Sequence, residues 1–280
     1  MGLLVGGADV QKDRIEASIW AFGRGKSSWL VEHRVLMGDT ARDAVWDALG
    51  SLLGEHWTHA PGAAVPLARF ALGTGFATQE ANAFVCACHN PRLMAVKGVA
   101  RGAALIGTPT AVDVTQSGKK LRRGIKLFTV AVGIAKLEFY NNLRKGADVA
   151  EDGVTVTYPA GYVHLPQVDG EFLQQLCAEQ LVTRRDRNGF PVREWQKVRE
   201  RNEGLDAFVC ARAAASAAGL DRFEDRHWRE LERQLGVVPD PAPPPPIPTT
   251  DLNEATPRGG LGVSGARPAR RVIKSRWLNR

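Results

Sequence analysis

The chain has 280 residues, 44% of them hydrophobic and 24% charged, with a formal net charge of +7. That is an ordinary globular mixture, long enough for one large domain or two small ones. No run of about 18 apolar residues occurs and the N-terminus lacks a basic region followed by an apolar stretch, so neither a helical membrane span nor a signal peptide is indicated and a soluble, cytosolic chain is expected.

In chain order, "LLVGGADVQ" (3–11) reads as a buried strand, "RIEASIWAF" (14–22) as an alternating one and "SWLVEHRVLM" (28–37) as a third. Tight turns at Lys12-Asp13 and "GRGK" join them into an antiparallel meander. "WAFGRGKSS" (20–28) ends like a phosphate-binding P-loop, but Trp20 stands where that motif needs glycine. The segment after Lys26 also alternates like a strand instead of opening a helix, so the stretch is a hairpin turn. "TARDAVWDALGSLL" (40–53) predicts a helix capped by Thr40 or Asp39, with Ala44, Val45, Ala48, Leu49 and Leu52 on one face.

A strand at 66–72, a helix at about 77–89, a strand at 93–97, a strand at 125–131 and a helix at about 133–144 follow. Cys86-Ala-Cys88-His89 offers half of a zinc site with no second ligand pair, and Cys177 and Cys210 complete a set of thiols read as reduced. Residues 200–218 form the clearest helix, with Leu205, Phe208, Val209 and an alanine-rich end. A meander followed by alternating helices and strands predicts an α/β fold with a mixed central sheet. The domain spans 1–236, and "PDPAPPPPIPTT" lies in a proline-rich linker over 237–257. The tail, 258–280, holds seven cations and no acid, leaving 30 basic and 30 acidic residues before it. It is expected to be a disordered basic arm for a partner or DNA, or a solubilising terminus.

Asp9 interrupts an apolar strand, and a buried carboxylate is costly unless hydrogen-bonded or metal-bound. Asp206 lies on the 200–218 helix, with Glu203 one turn earlier on the same side. A carboxylate from a first strand and another from a late helix can hold divalent ions, because like charges about 4 Å apart repel by roughly 4 kcal/mol at an effective dielectric near 20 unless a cation lies between them. Hard oxygen ligands favour Mg²⁺ or Mn²⁺. The plain alternatives are a strand-end acid for Asp9 and a solvated helix face for Glu203 and Asp206.

"GADVQKDRIEASIWAFGRGKSSWLVEHRVLMGD" resembles the opening of the nuclease domain of tailed-phage terminase large subunits of the GpA family. "VKG" (96–98), "AK" (135–136), "GYVHLP" (161–166), "FLQQLCAEQLV" (172–182) and "RNEGLDAFVCARAAA" (201–215) recur in the family's order. The resemblance implies a ribonuclease-H-like fold and a two-metal, Mg²⁺- or Mn²⁺-dependent endonuclease that cuts concatemeric double-stranded DNA in the host cytoplasm. Asp9 and Asp206 match the first and last metal-binding acids. An ATPase domain is expected in the full-length protein, with the terminase small subunit and the procapsid portal as partners, the latter through the tail.

The family carries an aspartate before Ser/Thr-Gly where this chain has Gly73 in "LGTG", so the middle ligand is missing. Either cleavage is impaired or Glu203 or Glu80 substitutes for it. Gly133 stands where relatives commonly carry an acid. A phosphate-binding loop at 73–75 is a further reading of the same stretch. Lys97, Arg101, Lys119, Lys120, Arg122, Arg123, Lys126 and Lys136 are the candidates for backbone-directed DNA binding. The alternative function is a non-catalytic DNA- or portal-docking module on the same fold, with a Holliday-junction resolvase a more distant third.

Overall fold

The computed structural model describes residues 2–116 and 119–237. All the elements below belong to one compact unit, Met1–Pro239. The basic tail and the linker from residue 238 onward lie outside the described residues.

The meander forms as its alternation dictates: β1 (Leu3–Val10), β2 (Arg14–Phe22) and β3 (Ser28–Met37) pair antiparallel. Helix α1 (Asp43–Leu53) leads to the short hairpin β4 (His56–Thr58) and β5 (Ala64–Pro66), then β6 (Arg69–Gly73), helix α2 (Thr78–Cys88) and β7 (Leu93–Val99). The hairpin β8 (Thr110–Gln116) and β9 (Lys119–Ala131) precedes helix α3 (Val132–Leu143). Small pieces follow: β10 (Asp148–Val149), β11 (Val156–Thr157), β12 (Val163–His164) and helix α4 (Gly170–Leu176). A second hairpin, β13 (Glu179–Arg185) and β14 (Pro191–Lys197), leads to α5 (Glu203–Ala217) and α6 (Asp225–Gln234). The central sheet runs β12-β3-β2-β1-β6-β7-β9-β8, with β1, β6, β7 and β9 mutually parallel. This is the mixed α/β sheet flanked by helices that the sequence predicts.

Strand alternation splits the core into two layers. Odd residues of β1, Leu3 and Val5, join Trp20, Phe139, Phe208 and the apolar face of α5; even residues, Leu4, Ala8 and Val10, join Phe70, Leu72 and α1. Trp20 is fully buried, edge-on to Phe208 at 4.8 Å, with its indole N–H donating to Ser18 Oγ at 3.0 Å. Gly7 lets α5 lie directly on β1: a Cβ there would fall 2.2 Å from the Ala211 nitrogen and 2.3 Å from the Ala207 carbonyl. Gly7→Ala should therefore cost about 3 kcal/mol or more, about 6–12 °C in Tm by calorimetry. An unchanged Tm would mean that the helix does not rest on this residue.

The expected helix start differs. Asp39 accepts from the Ala41 amide, while the Thr40 hydroxyl donates to the Gln11 carbonyl at 2.9 Å, so neither caps α1, whose N-cap is Arg42. Thr40 is used instead to tie the helix entry to the β1–β2 turn. Ala44 and Ala48 are exposed and Trp46 and Leu53 are buried, because the buried stripe follows the larger apolar side chains. The expected P-loop decoy is a short turn, Arg24–Lys26, running into β3.

Candidate functional site

The parity that sends Leu3 and Val5 toward α5 sends Asp9 the same way, at the C-terminal end of β1. In the parallel neighbour, Ala8 pairs with Leu72, so Gly73 lies beside Asp9. A Cβ on residue 73 would stand 3.6 Å from Asp9 Oδ1 and 3.7 Å from Cys210 Sγ. Opposite, the first turn of α5 presents Asp206. Asp9, Gly73, Thr74, Gly98, Asp206 and Cys210 line one pocket of about 180 Å³ at the C-terminal ends of the parallel strands. Open α/β sheets place ligands at this end.

Each carboxylate is held by named partners. Gln11 Nε2 donates to Asp9 Oδ2 at 2.6 Å. Asn202 Nδ2 donates to Asp206 Oδ2 at 2.8 Å and to Glu179 Oε1 at 2.9 Å. Lys136 Nζ lies 2.7 Å from Glu179 Oε1 and 3.3 Å from Asp206 Oδ1. Burial, and then the charge of Asp206, push the Asp9 carboxyl up to about 7, with the Gln11 hydrogen bond opposing them. Burial also raises Asp206, against the pull of Lys136. Cys210 is raised well above the ordinary thiol range by burial and by both aspartates, so it is a protonated wall of the pocket. Two acids thus line one pocket, with Lys136 the cation paired to Asp206. Among the described residues, no group of three or more His, Cys, Asp or Glu side chains is arranged to hold a metal ion.

A family model for the endonuclease domain of the terminase large subunit gpA matches residues 1–228. The chain belongs to that family. It is 28% identical over 216 residues to the terminase large subunit of Escherichia phage lambda, and 26% identical over 213 residues to that of Enterobacteria phage P21. Each match covers 75% of this chain and 32% of the relative, so the chain spans about a third of the length of these curated relatives. No solved structure matches it. No described helix is long and apolar enough to cross a membrane.

Within this terminase nuclease family member, the sequence-predicted residues separate into groups. Asp9, Asp206 and the Gly73 position come together. Glu203 points elsewhere: its Oε1 accepts from Arg14 Nη2 at 2.9 Å and its Oε2 lies 3.5 Å from Arg201 Nε. It belongs to a buried cluster around Glu16, whose carboxyl burial would raise but hydrogen bonds from His33, Arg14 and Arg201 hold down at about 2. Glu80 is exposed in a groove with Trp46 and Phe84 on the α1–α2 side. Neither glutamate lines the Asp9–Asp206 pocket, which corrects the expectation that one of them fills the missing place.

Lys136 is buried in ion pairs and is not a surface cation. Lys97 and Arg101 are exposed beside Gly98. Lys120, Arg122, Arg123 and Lys126 are exposed on β9, Lys120 pairing with Asp113 at 3.1 Å. The side chain of Lys119 lies outside the described residues. The reading of 73–75 as a phosphate loop meets an obstacle, since the Thr74 amide and hydroxyl both donate to the Val96 carbonyl and α2 starts only at Thr78. A side chain at Gly133 would meet Trp195 Nε1 at 3.4 Å.

Sequence reasoning missed Gln11 as the partner of Asp9, Asn202 as a partner of Asp206, and Glu179, which shares Lys136 and Asn202 with Asp206. Two of these had a signal: Gln11, two residues after Asp9 and so on its side of the extended chain, and Asn202, four residues before Asp206 and so one turn away.

Proposed function

We propose that this chain is a ribonuclease-H-like, metal-dependent endonuclease domain that acts on double-stranded DNA during phage genome packaging, with cleavage impaired by Gly73. The observation that carries the reading is the paired carboxylates, Asp9 on the first strand and Asp206 on the late helix, in one pocket beside a residue whose missing side chain would point at Asp9 Oδ1. The meander β3-β2-β1 continued by parallel strands, with the acid-bearing helix lying on β1, supports the fold assignment.

Asp9 and Asp206 fit a hard divalent cation, Mg²⁺ or Mn²⁺, of the kind held by one or two carboxylates and completed by substrate phosphate and water. Two such ions, when bound, supply an activated water and stabilise the leaving oxygen of a phosphodiester. The chain's own residues do the positioning. Gln11 fixes Asp9, while Lys136 and Asn202 fix Asp206 and Glu179 in one network. Lys97 and Arg101, exposed on either side of Gly98 in the sequence, would neutralise phosphates without reading bases. In the full-length protein an ATPase domain, the small subunit and the procapsid portal are the partners this reading implies.

A second reading, a non-catalytic DNA- or portal-docking module on the same fold, is favoured by the single-atom side chain at position 73. Calorimetric titration of the EDTA-stripped 280-residue protein with Mn²⁺ tests the site itself. Asp9→Asn and Asp206→Asn should each weaken binding at least about tenfold, as removal of even outer partners of a metal site does. Undiminished affinity in the double variant would remove the two-carboxylate reading.

A further inference from the structure

The β13–β14 hairpin carries more positive charge than its neighbours need, and its register sorts that charge by face. Glu179 pairs with Lys197, Leu181 with Trp195, Thr183 with Arg193 and Arg185 with Pro191, so these eight side chains share one face. The inner end of that face points at the pocket wall. Glu179 binds Lys136 and Asn202, and the Trp195 ring stacks on Tyr140 at 5.3 Å, over Gly133. Beyond Trp195 the same face presents Arg193 and then Arg185, with Lys197 at the base.

All three cations are exposed. None makes an ion pair among the described residues, and Arg185 has only a 3.4 Å hydrogen bond to the Gly189 carbonyl. The opposite face is different. There Arg184 Nε lies 2.8 Å from Glu194 Oε1, a neutral pair. At the tip, Asp186 is occupied with the amides of Asn188 and Phe190. At about 3.3 Å per residue, the unpaired cations cover about 20 Å, the rise of about six nucleotides of one DNA strand.

We propose that the Glu179–Lys197 face of this hairpin is a phosphate track, on which Lys197, Arg193 and Arg185 hold the backbone of the duplex that reaches the Asp9–Asp206 pocket. The inference rests on the nucleic-acid reading given above. Its occupant is double-stranded DNA, because three unpaired cations in a row on an arm are matched by a regular line of anions and not by a closed apolar surface.

The test is fluorescence anisotropy of a labelled random-sequence duplex with the 280-residue protein in EDTA, over a series of salt concentrations. Arg185→Glu/Arg193→Glu/Lys197→Glu should lower affinity about tenfold or more and reduce the slope of log K against log salt by about 3, one contact each. The triple glutamine variant should fall between it and wild type. Arg184→Gln/Glu194→Gln, on the far face, should stay within about twofold. Matching melting curves for all variants separate lost contacts from lost structure. Wild-type binding that the triple variants leave unchanged, or that the far-face control weakens equally, overturns the track alone. No duplex binding by wild type overturns both the track and the function it rests on.

Discussion

Gly73→Asp is expected to give Mn²⁺-dependent nicking of supercoiled plasmid on the order of 10² times the wild-type level or more. A correctly held metal ion contributes several kcal/mol of transition-state stabilisation, and each 1.36 kcal/mol is about tenfold in rate. The geometry permits the substitution. The new Cβ would stand 3.6 Å from Asp9 Oδ1 and meet only the Ala8 carbonyl closely, at 3.2 Å, which a small shift relieves. The residue continues β6 without a left-handed backbone, so a side chain brings no torsional strain.

The third carboxylate also has an electrostatic cost. Like charges about 4 Å apart repel by about 4 kcal/mol at an effective dielectric near 20. Metal-free Gly73→Asp should therefore melt below wild type, and Mn²⁺ should raise its Tm by more than it raises that of wild type. Gly73→Asn fills the same space without the charge and should neither nick nor show that larger metal shift. A Gly73→Asp protein that folds, takes up Mn²⁺ and binds duplex yet never nicks would decide for the docking module.

Asp9→Asn should stabilise the metal-free protein at neutral and alkaline pH. Burial and the neighbouring Asp206 raise the Asp9 carboxyl from 3.8 to about 7 in the folded chain. Below about pH 3.8 it is protonated in both states and costs nothing. As pH rises, the unfolded chain releases the proton first while the folded chain keeps it to about 7, so stability falls across that window and the loss is complete above it. The shift corresponds to no more than about 4 kcal/mol at 1.36 kcal/mol per unit. Asparagine can keep the Gln11 hydrogen bond through its carbonyl and removes the charge. In EDTA, the Tm gain of Asp9→Asn should be near zero at about pH 3.5 and grow to several degrees by about pH 8. A variant less stable than wild type by the same amount at every pH would mean that Asp9 is a packing residue and not a strained acid. This is the usual conflict between function and stability, in which a site keeps charges that the fold alone would discard.

Much of the framework was legible. The meander, α2, α3 and α5 follow from period-two and helical spacing, because those patterns report directly which side of a segment is apolar. Asp9 stood out for the same reason, a carboxylate within an apolar run. The hairpin β13–β14 was missed although "RRDRNGFP" carries a turn signal, because its strands are mostly polar and exposed, with Leu181, Val182, Val192 and Trp195 split between the two faces, so no sustained apolar alternation marks them. Helix α6 was missed as well. Its residues are mostly charged, with only Trp228 buried.

By itself the sequence determined the meander and the principal helices, that an acid sits on the first strand and another on the late helix, and, through family resemblance, the expectation that position 73 lacks one. Only the tertiary structure decided which acids meet. Glu203 and Asp206 are three residues apart on α5, yet one is taken by Arg14 and Arg201 and the other faces Asp9. Lys136, read as a DNA contact, is bound between Glu179 and Asp206, 43 and 70 residues away. The physical reason is that periodicity reports the apolarity of a face, whereas the partner of a charge is set by how β1, α3, α5 and the β13–β14 hairpin pack, and that packing joins residues with no local signal of one another.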